Sequence, residues 1–402
     1  MNKIDILGIK ISKINRQKSL DKIEEFLLSK EANYVVTPNP EIILAAIHDE
    51  ELLHILNSAD LALPDGFGLK LAALLDGKMI SRVTGADMVR DILALAEKKN
   101  IKVAILNWKK GLSSKQDIDR AIKDQYPKLD FLSENVNREP KELSGDFKEF
   151  KPKIVFVNFG APYQEKFIYH KLRQADGVRV ALGIGGAFDF ITGRAKRAPK
   201  ILRFIGLEWL WRLVKDPKRL GRIYQAVVVF PYKVIRNKFL RPFLYRPNVA
   251  CFLYKKDKGT YKVLVVERSD EPGHWQIPQG GRDGQNLMDA GTRELCEEIG
   301  CEKFIPKRAY KNVHRYKFGT RKGESSCRAD SCRKHTGFKG QKQGLFIAEF
   351  IGKDEDIQVN FWDHEKWKWV DSEKLVDEVE MVRKRATQRF VRCFEDYIKT
   401  EH

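Results

Sequence analysis

From residue 1 to 240, short runs of aliphatic and β-branched residues alternate with longer stretches of helical pattern, and this alternation limits the fold more than any other feature of the chain. The runs at 34–37, 61–63, 103–106, 154–157 and 178–182 are almost unbroken in their apolar character. Strands of that kind are covered on both faces, as in a parallel sheet flanked by helices. The stretches 18–29, 41–57, 86–98 and 162–175 supply the helices. The expected architecture is a layered α/β, Rossmann-like domain with a largely parallel sheet. In such a sheet, ligands gather beyond the carboxyl ends of the strands.

A chain of 402 residues is too long for one ordinary core. The pattern changes around Arg241-Pro242-Phe243-Leu244-Tyr245-Arg246-Pro247, where two prolines interrupt it. A first domain is therefore expected over 1–240 and a second over 245–402. Beyond the break come strand-like runs at 248–254, 262–267, 344–351 and 366–370, with a closing helix at 378–397. That order suits an α+β sandwich.

The unusual residues of the first domain fall where its strands end. Thr37-Pro38-Asn39-Pro40-Glu41, Pro64-Asp65-Gly66-Phe67-Gly68, Asn158-Phe159-Gly160-Ala161-Pro162-Tyr163-Gln164-Glu165-Lys166 and Gly183-Ile184-Gly185-Gly186-Ala187-Phe188-Asp189 each follow a run. Arg82-Val83-Thr84-Gly85-Ala86-Asp87 precedes a helix. Singly, each reads as a strand-to-helix turn, with Asp65 as a turn or N-cap aspartate. Arg194-Ala195-Lys196-Arg197-Ala198-Pro199 and Gly206-Leu207-Glu208-Trp209-Leu210-Trp211-Arg212-Leu213 follow them. In this order the set resembles the WecG/TagA/CpsF family of glycosyltransferases, over nearly all of the first domain. The resemblance implies transfer of N-acetylmannosamine, or a related amino sugar, from a UDP-sugar donor. The acceptor would be a polyprenyl-diphosphate-linked sugar in cell-surface polysaccharide assembly. Carried over, Asp65 is the general base, taking the acceptor hydroxyl proton as that oxygen attacks the anomeric carbon. Thr37, Asn39 and Gly185 would line the pocket, Arg82 would neutralise the leaving diphosphate, and Gln164 would hold sugar or nucleotide. No Asp-x-Asp metal motif stands out, in keeping with a family that works without a bound metal.

The second domain carries its own signature. In Arg293-Glu294-Leu295-Cys296-Glu297-Glu298-Ile299-Gly300, three carboxylates at i, i+3 and i+4 share one helix face. Such a face is either solvated or holds a hard divalent cation, which prefers oxygen ligands. Just upstream, Trp275-Gln276-Ile277-Pro278-Gln279-Gly280-Gly281 supplies a strand end and a glycine loop that admits a phosphate chain, and Gly300 stops the helix. Together these residues resemble the Nudix hydrolases, which cleave nucleoside diphosphates linked to another moiety. With Gly340-Gln341-Lys342-Gln343 and Trp367-Lys368-Trp369-Val370, they are similar to the branch of RNA pyrophosphohydrolases and diadenosine tetraphosphate hydrolases. The resemblance implies Mg²⁺ or Mn²⁺ held by Glu294, Glu297 and Glu298, with Glu297 and Glu298 catalytic. Gly280, Gly281, Arg293 and Lys342 would meet the nucleotide substrate. A late acid of the branch falls at Asp363 or Glu365. The loop 280–286 departs from the family: it is one residue short, and Gln285 stands where an acid normally braces the loop, often against the arginine that is here Arg293. A module that senses a nucleotide without cleaving it is therefore the alternative to a hydrolase.

Lys and Arg outnumber Asp and Glu 74 to 55, a net charge of +19 that favours anionic partners. Between 194 and 241 the only acids are Glu208 and Asp216, and Ile201, Phe204, Trp209, Trp211 and Leu213 are interleaved with the cations. This appendage suits an anionic membrane surface. A helix packed on the core and a nucleic-acid surface are the other readings. Nucleic acid is the least favoured partner, because an RNA-end pyrophosphohydrolase leaves the Asp65 and Gln164 motifs unexplained. The N-terminus lacks a signal-peptide core, and no apolar run reaches the roughly 18 residues that span a bilayer. The run 226–230 is short and is expected to stop at Pro231. Six cysteines (251, 296, 301, 327, 332 and 393) are scattered without a disulfide framework. The expected setting is the cytoplasm, peripheral on the inner face of the plasma membrane. Cys327, Cys332 and His335 sketch a partial metal site without a fourth ligand. The stretch 317–339 reads as an inserted loop, either solvated or touching polyphosphate.

Overall fold

The computed structural model describes residues 2–269, 271–318, 337–360 and 362–401. Cys327, Cys332, His335 and most of the expected inserted loop lie outside the described residues. The chain divides into two compact units, Met1–Ile235 and Arg236–His402.

In unit 1, β1 (Lys3–Ile6) and β2 (Ile9–Ser12) form an antiparallel hairpin. A second sheet contains β3 (Asn33–Val36), β4 (Leu61–Ala62), β5 (Val103–Trp108), β6 (Phe131–Val136), β7 (Ile154–Asn158) and β8 (Val180–Gly183). Its order is β4-β3-β8-β7-β5-β6, and every pair is parallel. Alternation along each strand divides its side chains between two cores. Val155 and Val157 of β7 pack on one face, Ile154 and Phe156 on the other. This is the expected layered α/β fold.

Three local differences have physical causes. β6 lies at the sheet edge and mixes Ser133, Glu134 and Asn135 with its apolar residues, so it lacks the run that marks its inner neighbours. The helix expected over 41–57 is two, Pro40–Ala46 and Glu50–Asn57. Between them the Asp49 carboxylate accepts from Leu52 N–H (2.9 Å) and starts a new N-terminus. The run before Pro231 does not stop there: helical backbone continues through Phe230–Ile235 after a wide π-type turn over Gln225–Val229. The wider turn shifts the carbonyl that the proline ring would otherwise meet.

Unit 2 is built on one mixed sheet. Its strands are β9 (Tyr245–Asp257), β10 (Thr260–Arg268), β11 (Trp275–Gln276), β12 (Gln279–Gly281), β13 (Phe304–Lys317), β14 (Gly340–Phe350) and β15 (His364–Asp371). The main path runs β11-β10-β9-β14-β13, with β12 paired to β9 and β15 to β10. β9 and β14 are parallel and the other pairs antiparallel. In β9, Val249, Cys251 and Leu253 join the core of the helix Leu287–Ile299, while Ala250, Phe252 and Tyr254 join that of the helix Met381–Glu401. The result is a sandwich with one helix on each face. Gly291 permits close approach, since a Cβ there would fall 2.3 Å from Phe346 Cγ. β13 is absent from the expected strands because it is a charged edge strand with irregular register near Pro306 and between Tyr310 and His314. Among the described residues, no helix is long and apolar enough to cross a membrane.

Candidate active sites

In unit 1 a cleft of about 880 Å³ opens at the carboxyl ends of the parallel strands. Thr37, Asn39, Asp65, Arg82, Gln164 and Gly185 all line it. Thr37, just past β3, donates to the Gly183 carbonyl of β8 (3.1 Å) and ties two central strands together. Asn39 Oδ1 caps the helix Pro40–Ala46 by accepting from Ile42 N–H (3.0 Å). Gln164 is buried, and its Oε1 accepts from the N–H groups of Gly160 (3.2 Å) and Gly185 (2.8 Å). Its Nε2 donates to Glu165 (2.8 Å), so the amide braces two cleft loops. Gly185 adopts φ +53°, which glycine tolerates. Glu165 is fully buried, and burial pushes its carboxyl up to about 7 against the opposing pull of the Gln164 amide. Burial also raises the Asp65 carboxyl above its ordinary value; Arg82 and Arg212 pull it back, and Glu208 pushes it up again. A raised carboxylate is a better proton acceptor, as a general base requires.

In unit 2, Glu294, Glu297 and Glu298 stand on the helix Leu287–Ile299, which Asn286 caps and Gly300 ends at φ +63°. Arg293 is drawn across two of them. Its Nη2 donates to Glu294 (2.8 Å) and to the Gly281 carbonyl (2.8 Å), and its Nη1 to Glu297 (2.9 Å). Its Nε donates to Gln285 Oε1 (2.9 Å), so Gln285 makes the bracing contact for which the sequence pattern leads one to look for an acid. Gly280 passes so close to Glu294 that a Cβ would lie 1.4 Å from its Oε2. Glu298 accepts from Gln279 N–H (3.1 Å) and lies 3.2 Å from Nε2 of buried His364. Asp363 N–H donates to Asn360 Oδ1 (3.0 Å), whereas Glu365 is exposed beside Lys366. Lys342 is exposed on β14, opposite Arg315 and Pro247, between buried Gln341 and Gln343.

Residues 4–243, more than half of the chain, match the model of the glycosyl transferase WecG/TagA/CpsF family. The chain belongs to that family. Residues 244–390 match the NUDIX domain. An N-acetylglucosaminyldiphosphoundecaprenol N-acetyl-beta-D-mannosaminyltransferase of Staphylococcus aureus (strain MW2) is 29% identical over 241 residues, 59% of this chain and 93% of the relative. A C. elegans Ap4A hydrolase binary complex is similar to 38% of this chain over 98% of its own, at 18% identity and a TM-score of 0.27. The E. coli dihydroneopterin triphosphate pyrophosphohydrolase is similar to 37% over 97% of its own, at 18% identity and a TM-score of 0.28.

In this WecG/TagA/CpsF glycosyltransferase the basic segment after residue 194 does more than face outward. Arg194, Arg197, Arg212, Arg219 and Arg222 all line the cleft. Arg197 donates to Asp87 (2.5 Å) and Thr84 (3.1 Å). Burial alone would raise Asp87, yet the bonds it accepts from Arg197 and from the Thr84 hydroxyl (2.6 Å) hold its carboxyl at about 2. Arg138, also in the lining, lies 3.6 Å from the Trp108 ring centroid and 4.7 Å from that of Tyr163, a guanidinium fixed by two aromatic faces. Sequence reasoning missed Arg138 and His364, and for the arginines beyond 194 it offered a membrane surface, packing on the core or nucleic acid, not the cleft. The excess of cations there was the available signal. In the NUDIX domain the donor set is all oxygen and two of the three carboxylates are buried, chemistry that suits Mg²⁺ or Mn²⁺. Among the described residues, however, no three His, Cys, Asp or Glu side chains gather around one point; Arg293 holds Glu294 and Glu297 instead.

Proposed function

We propose that unit 1 transfers N-acetylmannosamine, or a related amino sugar, from a UDP donor to a polyprenyl-diphosphate-linked acceptor. The observation that carries this reading is the convergence of Thr37, Asn39, Asp65, Arg82, Gln164 and Gly185 on one cleft with cationic walls. The activity for which the S. aureus relative is named supports the choice of sugar and acceptor. Asp65 accepts the acceptor hydroxyl proton, the new C–O bond forms at the anomeric carbon, and the bond to UDP breaks. Arg82 and the arginines beyond 194 answer the charge on the departing diphosphate. Exposed Ile201, Phe204 and Val214, set among Lys and Arg, suit contact with an anionic membrane surface and support a setting at the inner face of the plasma membrane. Supplying the full chain with UDP-N-acetylmannosamine and a short-chain polyprenyl-diphosphate-linked sugar should release UDP and lengthen the acceptor. UDP release that does not need the acceptor, or that survives Asp65→Asn, rejects the reading.

For unit 2 the proposal is divalent-cation-dependent hydrolysis of a nucleoside diphosphate-linked substrate. Mg²⁺ or Mn²⁺, held by Glu294, Glu297 and Glu298, would supply charge neutralisation at the diphosphate. Gly280 leaves room for the Glu294 carboxylate and Gly281 for the Arg246 guanidinium, and Gln285 keeps the loop braced through Arg293. The Arg293 ion pairs favour a second reading, a sensor that binds a nucleotide without cleaving it. The test offers the full chain dinucleoside polyphosphates, UDP-sugars, nucleoside diphosphates and 5′-triphosphorylated RNA with Mg²⁺. Metal-dependent cleavage of the phosphoanhydride, read from the phosphorylated products, that disappears in Glu297→Gln/Glu298→Gln supports the hydrolase and identifies its substrate class. Nucleotide binding without turnover supports the sensor.

A further inference from the structure

One buried carboxylate in the cleft has no place in the transfer chemistry described so far. Glu208 stands at the start of the helix Glu208–Lys215 and is 8% exposed. Its Oε2 accepts from Arg82 Nη2 and its Oε1 from Arg212 Nη2, each at 2.5 Å. Arg82 lies in the loop between the helices Phe67–Leu75 and Gly85–Lys98 and also donates to the Arg203 carbonyl (3.1 Å), while Arg212 lies one turn beyond Glu208 on the same helix. Arg82 Nε, buried, has no hydrogen-bond partner among the described residues. All three side chains line the cleft with Asp65.

We propose that Glu208 is a positioning residue for sugar transfer: its single carboxylate holds one guanidinium of the core and one of the appendage beside Asp65, and so sets the charge that surrounds the base. The inference rests on the reading of unit 1 as a transferase with Asp65 as its base. Two unopposed guanidinium groups would stabilise the Asp65 carboxylate and leave it a feeble proton acceptor. Glu208 offsets one of those charges while keeping both arginines aimed into the cleft. The charged groups facing Asp65 are Arg82, Arg197, Arg212 and Glu208, three cations and one anion. Removing the anion must therefore favour the ionised form of Asp65. When the donor diphosphate arrives, it takes over the role of counter-anion to Arg82 and Arg212, and the base keeps its strength in the loaded cleft. The same carboxylate ties the appendage to Arg82, as Arg197 ties it to Asp87.

The test follows the Asp65 carboxyl directly. The full chain is labelled with ¹³C at aspartate carboxyl carbons, and the Asp65 signal, assigned by its loss in Asp65→Asn, is titrated against pH. In Glu208→Gln, which keeps the shape and loses the charge, the midpoint should fall by about one pH unit or more. In Glu208→Asp, which keeps the charge and shortens the reach, the midpoint should stay near that of the parent, while kcat/KM for transfer falls as the arginines lose their shared anchor. An unchanged midpoint in folded Glu208→Gln overturns the proposal. If that variant does not fold, a Glu208→Asp protein with parental kcat/KM overturns it instead. A parent chain without transfer activity would defeat the proposed function, yet the titration would still decide what Glu208 does to Asp65.

Discussion

The two sites are electrostatic opposites. In unit 1 guanidinium groups outnumber the acids Asp65 and Glu208 at the centre of the cleft; in unit 2 one guanidinium, Arg293, sits among acids. The first site draws its lining from residues as far apart as Thr37 and Arg222, the second from a stretch between Gln279 and Glu298 with His364 added. A site gathered from distant loops depends on the whole sheet for its geometry. A site carried on one strand, loop and helix depends mainly on its own caps and glycines.

The largest expected effect tests Asp65. Asp65→Asn should lower transfer by about 10²–10⁴-fold while leaving UDP affinity within a few-fold by calorimetry. A large loss of UDP binding would make Asp65 a ligand contact, and the contrast with unit 2 would weaken. Next comes the close approach in unit 2. Gly280→Ala drives a methyl into the Glu294 carboxylate and should cost about 1–3 kcal/mol of stability in that unit, read from its thermal midpoint. Metal-dependent hydrolysis should fall about 10–100-fold with it. A smaller effect is expected at the brace: Gln285→Ala frees Arg293 Nε and should slow hydrolysis by about tenfold, and Gln285→Glu should restore it. If Gln285→Ala is neutral in rate assays, the short loop needs no brace.

The last effect concerns stability. Burial raises Glu165 to about 7 from an ordinary value near 4.5, so the folded state holds that proton more tightly than the unfolded chain. Its contribution is fully present below about 4.5 and is lost as pH rises through about 7. Glu165→Gln stays neutral at every pH. Relative to the parent it should gain up to about 3 kcal/mol at pH 8 and nothing at pH 4.5, measured by chemical denaturation at both. Equal shifts at the two pH values would mean that Glu165 is ionised in the fold.

Much of the architecture is legible in the chain because it rests on contacts between near neighbours in sequence. The inner strands appear as apolar runs, and the three glutamates on one helix face follow from a 3.6-residue turn. The edge strands β6 and β13 escape the same reasoning, because one-sided burial lets polar residues in. Asp49 splits a helix that hydrophobic periodicity alone would have continued. In the cleft, the strand-end motifs point to residues that line one pocket, yet their partners do not show. Gln164 reads as a ligand contact until its oxygen is found between two glycine N–H groups.

Spacing, caps and glycines, all read within a few turns of chain, are enough to specify two units, a parallel sheet in the first and an acidic helix in the second. The field around Asp65 is different in kind. It depends on Arg82, Arg197, Glu208 and Arg212, and Coulomb interactions follow separation in space, not along the chain. Only the folded sheet, with the appendage laid over its carboxyl ends, brings those charges together.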